Sequence, residues 1–312
     1  MMPRVLVIGS INVDYVIETD RIPALGETLT GRGFSMNLGG KGANQAIALA
    51  KQGCEVKMLG AVGRDGAGGF ALENLRSYGV DCTEVISVDA PTGAAVITVC
   101  KGDNHIILDE GANACVTPEV VTAHESLLAW ADAVVMQYEI PIESVLAAAR
   151  MAKKHGKRVL LNPAPVKEVP AELYSFVDWI VPNEFETELI TGVFPADDKS
   201  AETGLRALLA RGAQNAIITL GKRGSAYTYG ENVGFFGTYP VVACDSTAAG
   251  DSFLGGFCAR LCMGDTPADA VAYASAVSAI AVSRAGAARS IPTKDEVLAF
   301  LAKQKKEKEN LQ

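Results

Sequence analysis

The chain has 312 residues, of which 49% are hydrophobic and 21% are charged, with 31 glycines. This profile is typical of a folded globular protein and excludes a disordered or fibrous chain, and the length fits one large α/β domain or two smaller ones. The formal net charge of −8 argues against nonspecific binding to nucleic acid or to acidic membranes, because such binding depends on an excess of lysine and arginine.

The N-terminus and the cysteines bear on where the protein works. The apolar run in MMPRVLVIGS is too short for a signal-peptide core, and no segment approaches the ~18 unbroken apolar residues of a membrane span. The 7 cysteines are odd in number and contain no C-x-x-C pair, so they favour neither a disulfide framework nor a zinc site. We therefore expect core thiols in a cytoplasmic protein with no membrane and no nucleic-acid partner.

Short β-rich apolar runs alternate with helical patterns along the chain. The runs occupy residues 4–9, 56–63, 133–137, 158–162, 179–183 and 216–221. Thr117-Pro118 and Pro141 are suited to open helices, and Gly53, Gly79 and Gly156 stand where helices end. This alternation predicts an α/β fold with a mainly parallel sheet covered by helices.

Two segments interrupt the alternation. Residues 11–37 and 92–109 have the period-2 pattern of β-hairpins, and the second contains the turn sequence KGDN at 101–104. We interpret them as a small β-sheet lid on a core formed by residues 1–10, 38–91 and 110–312. The charged end of the chain, KQKKEKENLQ, is expected to be solvated.

Polar or glycine residues follow the predicted strands, where ligands bind in open parallel sheets. They are Ser10, Asn12 and Asp14 after the first run, then Glu139, then Asn183 and Glu186, then Gly221 and Gly224. Each alone is better explained as a turn or helix-cap residue. Their joint placement favours a binding site at the carboxyl edge of the sheet.

A glycine-rich segment, GGKGAN at 39–44, precedes a helical pattern. Such a turn lets the backbone approach a ligand closely, and Lys41 and Asn44 stand one helical turn apart. The segment is not a Walker A loop, because Ser35 and Gly42 occupy the positions where that loop needs glycine and a hydroxyl residue. A dinucleotide fold is also disfavoured, since no G-x-G-x-x-G follows the first strand.

The stretch DSTAAGDSF at 245–253 leads into an apolar run. A helix start explains its hydroxyl and acidic residues. Ala248, Ala249 and Gly250, however, have almost no side chain, so the N–H groups at that helix start can face an anion. An acid there would repel a phosphate group. Its presence is explained if it accepts the proton of the attacking hydroxyl, which would make Asp251 a general base.

These motifs together resemble a known family. GGKGAN at 39–44, NEFE at 183–186 and DSTAAGDSF at 245–253 resemble, in order and spacing along nearly the whole chain, the signatures of the ribokinase (PfkB) family of sugar kinases. Further stretches resemble its ribose-phosphorylating members more than its fructokinases or adenosine kinases: GSINVD, LGET, LNPAP, TLGKRG and AVSRAGAARSIP. The resemblance implies a three-layer αβα core with a small β-sheet lid, and ATP-dependent phosphorylation of D-ribose at its 5-hydroxyl.

The resemblance also implies roles for individual residues. Asp251 would be the general base, beside an anion hole formed by Ala248, Ala249 and Gly250. The sugar would bind Asn12, Asp14, Gly40, Lys41, Asn44, Glu139 and Asp251. ATP and Mg²⁺ would lie along Asn183, Glu186, Thr219, Gly221, Gly224, Gly250 and Ser275. An activating K⁺ would be enclosed by Asp245, Thr247, Ala281, Arg284, Gly286 and Ser290, and two lids would pair into a homodimer.

Two positions depart from the family pattern, and three alternatives stay open. Ser246 stands where threonine is familiar, and Ser275 stands where asparagine or histidine is often seen near adenine.

Within the family, a 2-deoxyribose or nucleoside kinase is the alternative. A noncatalytic sugar-binding regulator on the same fold is a second, although such a protein would not need Asp251, the small anion hole and N-x-x-E together. An NAD-dependent dehydrogenase is the third.

Overall fold

The computed structural model describes residues 2–101 and 103–309. In chain order its strands are β1 (Arg4–Ile8), β2 (Asn12–Thr19), β3 (Arg32–Gly39), β4 (Glu55–Leu59), β5 (Ala61–Gly63), β6 (Val80–Asp81), β7 (Ile86–Val88), β8 (Gly93–Cys100), β9 (Asp103–Asp109), β10 (Ala133–Met136), β11 (Arg158–Leu161), β12 (Trp179–Ile180), β13 (Asn215–Thr219), β14 (Ser225–Tyr229) and β15 (Asn232–Phe236). Its α-helices are α1 (Lys41–Lys51), α2 (Gly66–Ser77), α3 (Pro118–Ala123), α4 (Glu125–Trp130), α5 (Ile142–Lys154), α6 (Glu184–Thr191), α7 (Asp198–Ala210), α8 (Ala249–Cys262), α9 (Pro267–Val282) and α10 (Lys294–Glu309).

The main sheet has the order β15-β14-β13-β12-β11-β10-β1-β4-β6. It is parallel from β13 to β6, and β14 and β15 extend it as antiparallel strands. The chain builds from β1 to β4 on one side and later returns to β10 on the other. The strand order therefore reverses between β1 and β10, which is where open α/β sheets bind ligands.

Helices cover both faces of this sheet. Val5 and Val7 of β1 point into a core shared with α1, α2, α8 and α9, whereas Leu6 and Ile8 point into a second core shared with α5 and α7. Successive strand residues face opposite sides, so each parallel strand contributes to both cores. The predicted three-layer αβα fold with a mainly parallel sheet is confirmed.

A separate sheet of order β3-β2-β8-β9 lies beside this core. The predicted hairpins in 11–37 and 92–109 form β2–β3 and β8–β9, both antiparallel, and β2 pairs with β8 in parallel. Gly102, in the predicted turn of the second hairpin, lies outside the described residues. The small second sheet is thus confirmed, while its role as a lid, and the division of the chain into lid and core segments, stay predictions.

Two predicted strands differ from the structure. The run 56–63 divides at Gly60 into β4 and β5, and β5 leaves the main sheet to pair with β7. Gly60 packs against the backbone of Gly9, which leaves no room for a side chain at this bend. The run 179–183 keeps only Trp179 and Ile180 as strand, because Pro182 has no N–H to donate to a ladder.

The predicted helix boundaries are confirmed. Thr117 caps α3, with Pro118 at its first turn. Gly53, Gly79 and Gly156 follow their helices with φ of 87°, 84° and 66°, the left-handed conformation that glycine adopts without strain.

Cys54, Cys82 and Cys258 are buried, as expected for core thiols, but Cys244 is exposed, so that prediction is wrong there. Residues 303–309 of the charged end continue α10, and 310–312 lie outside the described part of the chain. Over residues 2–101 and 103–309, none of the helices has the length and apolarity needed to cross a membrane.

Candidate active site

The start of α1 is held against the carboxyl ends of β1 and β10. Ser10 Oγ donates to Glu139 Oε2 at 2.5 Å, and the backbone N–H of Lys41 donates to the same oxygen at 2.9 Å. The N–H of Gly42 donates to Ser10 Oγ at 3.2 Å. Predicted sugar-site residues 41 and 139 are therefore in direct contact at the point where the strand order reverses.

Asp14 lies over the glycine pair that precedes α1. A Cβ added to Gly39 would displace the Asp14 carboxylate, and Gly40 has φ of 89°, a conformation that favours glycine. Burial, and after it the charge of the nearby Glu139, together raise the pKa of Asp14 to about 6. The site therefore holds two carboxyl groups close together on its predicted sugar side.

Asn113 fixes the orientation of Asn12. Asn113 Oδ1 accepts from the N–H of Ile11 at 2.8 Å, and its Nδ2 donates to Asn12 Oδ1 at 2.7 Å. Both side chains are buried, with exposed fractions of 5% for Asn12 and 1% for Asn113. Because Asn113 occupies the carbonyl oxygen of Asn12, that residue has its NH₂ group left to offer to a ligand.

The first turn of α8 has free N–H groups. Ala248 precedes the helix in a left-handed conformation with φ of 58°, and no side chain caps this end. Among the described residues, no protein atom accepts from the N–H of Gly250 or Asp251. A Cβ added to Gly250 would meet nothing within 4 Å. This open helix start, with its positive dipole end, suits an anion.

Asp251 is 6% exposed and lies against α1. Its Oδ1 accepts from Gln45 Nε2 at 2.8 Å, and its Oδ2 accepts from Asn44 Nδ2 at 3.4 Å. Asn44 Oδ1 is itself buried without a hydrogen-bond partner among the described residues. The structure thus joins the predicted base to predicted sugar-site residue 44, with an orphaned acceptor beside it.

Lys41 lies among the acidic groups of the site. Burial lowers the pKa of Lys41, but the charges of Asp251, Glu139 and Glu186 raise it more, so its pKa lies above the ordinary value. The lysine is therefore a cation between the sugar-site carboxyl groups and the start of α6.

Asn183 and Glu186 form a capping box at the start of α6. Asn183 Oδ1 accepts from the N–H of Glu186 at 2.8 Å, and Glu186 Oε2 accepts from the N–H of Asn183 at 2.8 Å. Burial raises the pKa of Glu186, against the opposing effects of the Asn183 N–H and of Lys41. The N-x-x-E spacing thus has a structural role in addition to the predicted magnesium role.

The predicted nucleotide residues lie on two separate elements. Thr219 forms a β-bridge with Asn183, and Gly221 and Gly224 follow it with φ of 53° and 93°. Ser275 is a buried residue of α9, with 6% of its surface exposed. Residues 219–224 therefore adjoin the start of α6, whereas Ser275 belongs to the helical layer, and their contacts with a nucleotide stay predictions.

The predicted cation-site residues surround the segment before α8. Asp245 Oδ1 accepts from the N–H and the hydroxyl of Thr247 at 2.9 and 2.6 Å, and its Oδ2 accepts from the N–H of Gly286 at 2.9 Å. Burial raises the pKa of Asp245, but these hydrogen bonds lower it more, so its pKa lies below the ordinary value. Asp245, Thr247 and Gly286 are thus brought together.

The other three cation-site residues lie in the last turn of α9 and in the segment that follows it. The Ala281 carbonyl accepts from the N–H of Arg284 at 3.1 Å, and Ser290 Oγ donates to the Ala287 carbonyl at 2.8 Å. No group of three or more histidine, cysteine or acidic side chains suited to a metal ion occurs in the described ranges. Any ion here would therefore depend on carbonyl oxygens, one carboxylate and the hydroxyl of Ser290.

Four residues of the site are not predicted by the sequence analysis. They are Gln45, Asn113, Gln137 and Asn162. Gln137 and Asn162 are the last residues of predicted strand runs, so their position at the carboxyl edge was the available signal. Gln45 read as an ordinary member of the helical pattern, and Asn113 follows no predicted strand.

Comparison with known proteins agrees with this geometry. Residues 2–294 match the model of the pfkB family carbohydrate kinases. The chain is 39% identical over 303 residues to the ribokinase of Haemophilus influenzae, covering 96% of this chain and 99% of that protein. It is 34% identical over 302 residues to a deoxyribokinase of Salmonella typhi, covering 96% and 98%.

A solved structure gives the same answer for the fold. The structure of Arabidopsis thaliana ribokinase complexed with ribose and ATP matches with a TM-score of 0.92 and 31% identity, over 96% of this chain and 99% of that one. A family match over most of the chain and this fold together decide the assignment: the chain belongs to the pfkB family of carbohydrate kinases.

Proposed function

We propose that this kinase transfers the γ-phosphoryl group of ATP to the 5-hydroxyl of D-ribose, with Asp251 as general base and residues 248–251 as the anion hole. The observation that carries the proposal is the buried carboxylate of Asp251 next to free N–H groups at the start of α8. A carboxylate at an anion site repels phosphate, so its presence is best explained by a proton that it must accept. The ribokinases of Haemophilus influenzae and Arabidopsis thaliana support ribose as the acceptor.

The transfer would proceed in one step. The proton of the 5-hydroxyl passes to Asp251, the hydroxyl oxygen bonds to the γ-phosphorus, and the bond from that phosphorus to the bridging oxygen of ADP breaks. The N–H groups of Gly250 and Asp251 would donate to the transferring phosphoryl oxygens, where negative charge must be stabilised. Lys41, a cation beside Asp251, would offset the charge of the carboxylates around the sugar.

Sugar recognition would rest on a mixed set of fixed donors and acceptors. Asn12 offers NH₂ donors, because Asn113 holds its oxygen at 2.7 Å. Asp14 and Asn44 Oδ1 offer acceptors, and Asn44 Oδ1 is orphaned until a hydroxyl binds. Since buried groups without partners destabilise a complex, such a set discriminates between hydroxyl patterns.

The nucleotide and its metal would lie along α6 and the turn after β13. The oxygens of Glu186 accept hydrogen bonds from Asn183, which fix the position of this carboxylate. A carboxylate fixed in this way would suit Mg²⁺, because it could accept hydrogen bonds from metal-bound water. When bound, Mg²⁺ neutralises the charge of the β- and γ-phosphates. Thr219, Gly221 and Gly224 would border ATP, and Ser275 would stand at the adenine edge.

D-ribose should be preferred to 2-deoxy-D-ribose by about tenfold to a hundredfold in kcat/KM, because the deoxy sugar leaves a buried partner unpaired at roughly 1–3 kcal/mol. We place the 2-hydroxyl against Asn12. Release of ADP should be measured with pentoses, hexoses and nucleosides for the wild type and for Asn12→Met. The variant should lose far more ribose activity than deoxyribose activity.

The deoxyribokinase relative keeps a second candidate open. A wild type that favours deoxyribose would make 2-deoxyribose the substrate and would reduce Asn12 to a structural residue. Preference for a nucleoside or a hexose in the same assay would contradict both assignments.

Potassium should activate the enzyme. The oxygen-only set of Asp245, the carbonyls near Thr247, Ala281, Arg284 and Gly286, and Ser290 fits a hard cation. The lowered pKa of Asp245 keeps it negative near the phosphate site, and a bound cation would offset that charge. Turnover should be several-fold higher in KCl than in tetramethylammonium chloride at equal ionic strength. Equal turnover in both salts would contradict activation by K⁺ at this site.

The small sheet should serve both as a lid and as the contact between two subunits. Its edge strand β9 is exposed throughout and carries Ile106, Ile107 and Leu108. Proteins rarely leave an apolar edge strand of this kind exposed to solvent. Ile107→Lys should convert a dimer to a monomer in sedimentation, and ribose should slow hydrogen exchange in residues 12–19 and 93–100. A monomeric wild type would contradict the role in the dimer. Hydrogen exchange that ribose leaves unchanged would contradict the role as a lid.

A further inference from the structure

We infer that Gln45 and Gln137 form a directional amide chain that positions Asp251 for proton transfer, an inference that rests on the proposed role of Asp251 as the base. Gln137 Nε2 donates to Gln45 Oε1 at 2.6 Å, and Gln45 Nε2 donates to Asp251 Oδ1 at 2.8 Å. Gln45 and Gln137 both have an exposed fraction of 0%. The chain thus runs from the end of β10 through α1 to Asp251 of α8, and its two amide side chains have no contact with solvent.

The charge of Asp251 dictates the direction of every bond in this chain. An ionised carboxylate only accepts hydrogen bonds, so Gln45 must turn its NH₂ group toward Asp251. Gln45 Oε1 then faces Gln137, which must in turn present its own NH₂ group. Reversing either amide would bring two oxygen atoms together at hydrogen-bond distance.

This direction leaves one atom without a partner, which argues against a purely structural role. Gln137 Oε1 is buried with no hydrogen-bond partner among the described residues, and it lies against Gly9. An apolar side chain at 137 would remove this unpartnered acceptor, but it would leave the buried Gln45 Oε1 without its donor. The glutamine is therefore explained by the donor it provides to Gln45.

A side branch holds the same amide from another direction. Gln45 Nε2 also lies 3.4 Å from Asn162 Oδ1, and Asn162 Nδ2 donates to the carbonyl of Val181 at 3.0 Å. Both hydrogens of the Gln45 NH₂ group thus have acceptors. The amide is held in place from the ends of two neighbouring strands, β10 and β11.

The consequence is that the two oxygens of Asp251 are different. Oδ1 is engaged at 2.8 Å by Gln45, whereas Oδ2 has only the 3.4 Å contact with Asn44, a residue of the proposed sugar site. Oδ2 is therefore the oxygen that receives the hydroxyl proton, and Gln45 and Gln137 are positioning residues that keep it aimed at the sugar.

The test compares methionine substitutions, which keep side-chain size and remove the amide. Gln45→Met should lower kcat by about 10–100-fold with the KM values for ribose and ATP changed less than about threefold, the pattern of a misplaced catalytic group. Gln137→Met should lower kcat by about three- to tenfold, and the double variant should match Gln45→Met because both residues act through one chain.

A matched control stands at the other end of the same helix. Gln52 is 1% exposed and makes two side-chain bonds, donating to the Pro292 carbonyl at 2.8 Å and accepting from Tyr273 at 2.7 Å. Gln52→Met should therefore lower the melting temperature about as much as Gln45→Met, yet keep kcat within about twofold of the wild type.

The isosteric variant Gln137→Glu tests the direction itself. A carboxylate at 137 accepts from Gln45 and turns its oxygen toward Asp251, so kcat should fall further than in Gln137→Met. A packing role predicts the opposite order, because glutamate keeps the shape of glutamine. ADP binding and a cooperative melting curve identify the variants that are folded. If Gln137→Glu is unfolded, the kcat of Gln45→Met alone tests the inference.

Two outcomes overturn the inference. One is a Gln45→Met enzyme whose kcat equals that of Gln52→Met while Asp251→Asn is inactive; the other is a loss confined to the KM values. A fully active Asp251→Asn enzyme would instead contradict the proposed function, so the two failures are distinguishable in one set of measurements.

Discussion

Replacing Asp251 by asparagine should leave a folded protein that binds ATP but turns over about 10²–10⁴ times more slowly, the usual scale for removing a general base. Asparagine keeps an oxygen that can accept from Gln45 Nε2, and its NH₂ group replaces the oxygen that now faces Asn44 Nδ2, so the Asn44 amide must turn over and accept through its unpartnered Oδ1. The fold is thus satisfied while the proton acceptor is gone. The measurements are kcat by ADP release, ATP binding by calorimetry and the melting temperature.

Asp269→Asn is the matched control for this variant. Asp269 is likewise an acid in the first turn of a helix, α9, where its carboxylate accepts from the hydroxyl of Thr266 at 2.6 Å. Any effect of losing a first-turn charge on stability should appear in both variants, but the loss of turnover should appear in Asp251→Asn alone. If Asp251→Asn keeps more than about a third of wild-type turnover, its carboxylate serves the helix dipole and not the chemistry.

Gly250→Ala should lower kcat/KM for ATP by about 10²-fold or more, the scale of losing one donor to the developing charge of the transition state. The added methyl group meets no protein atom within 4 Å. If the start of α8 holds the transferring group as proposed, this methyl group would intrude on the phosphoryl group. Folding should not suffer, because alanine in a helix is favoured over glycine by roughly 0.5–1 kcal/mol.

The control for this second variant is Gly69→Ala in α2, where an added Cβ likewise meets nothing within 4 Å. Both variants should melt at or above the wild-type temperature. Only Gly250→Ala should lose activity. Equal activity of the two alanine variants would mean that the start of α8 does not hold the transferring group, whatever the role of Asp251.

Much of the fold could be predicted because it depends on local signals. Thr117-Pro118 and the glycines after α1, α2 and α5 act through bonds within one turn, and they define helix ends in any context. The period-2 pattern in 11–37 and 92–109 likewise reports one buried face per strand. Where tertiary contacts decide, prediction failed: the bend at Gly60 follows from its approach to Gly9, about fifty residues away in the chain.

The candidate site divides in the same way. Asp251 and Gly250 could be predicted because a helix start with small residues has a local chemical meaning. The supporting amides could not, since Asn113 binds Ile11 across 102 residues and Gln45 binds Asp251 across 206. The packing of α1 against α8, and of residues 111–115 against the segment after β1, makes neighbours of these residues.

The most direct test of the central claim is the identity of the product formed from ATP and D-ribose, read by phosphorus NMR. Attack on the γ-phosphorus by the 5-hydroxyl, with its proton passing to Asp251, predicts one new phosphorus signal coupled to the two protons of ribose C5, together with one equivalent of ADP. A signal coupled to the anomeric proton, or free inorganic phosphate in place of a sugar phosphate, would contradict it.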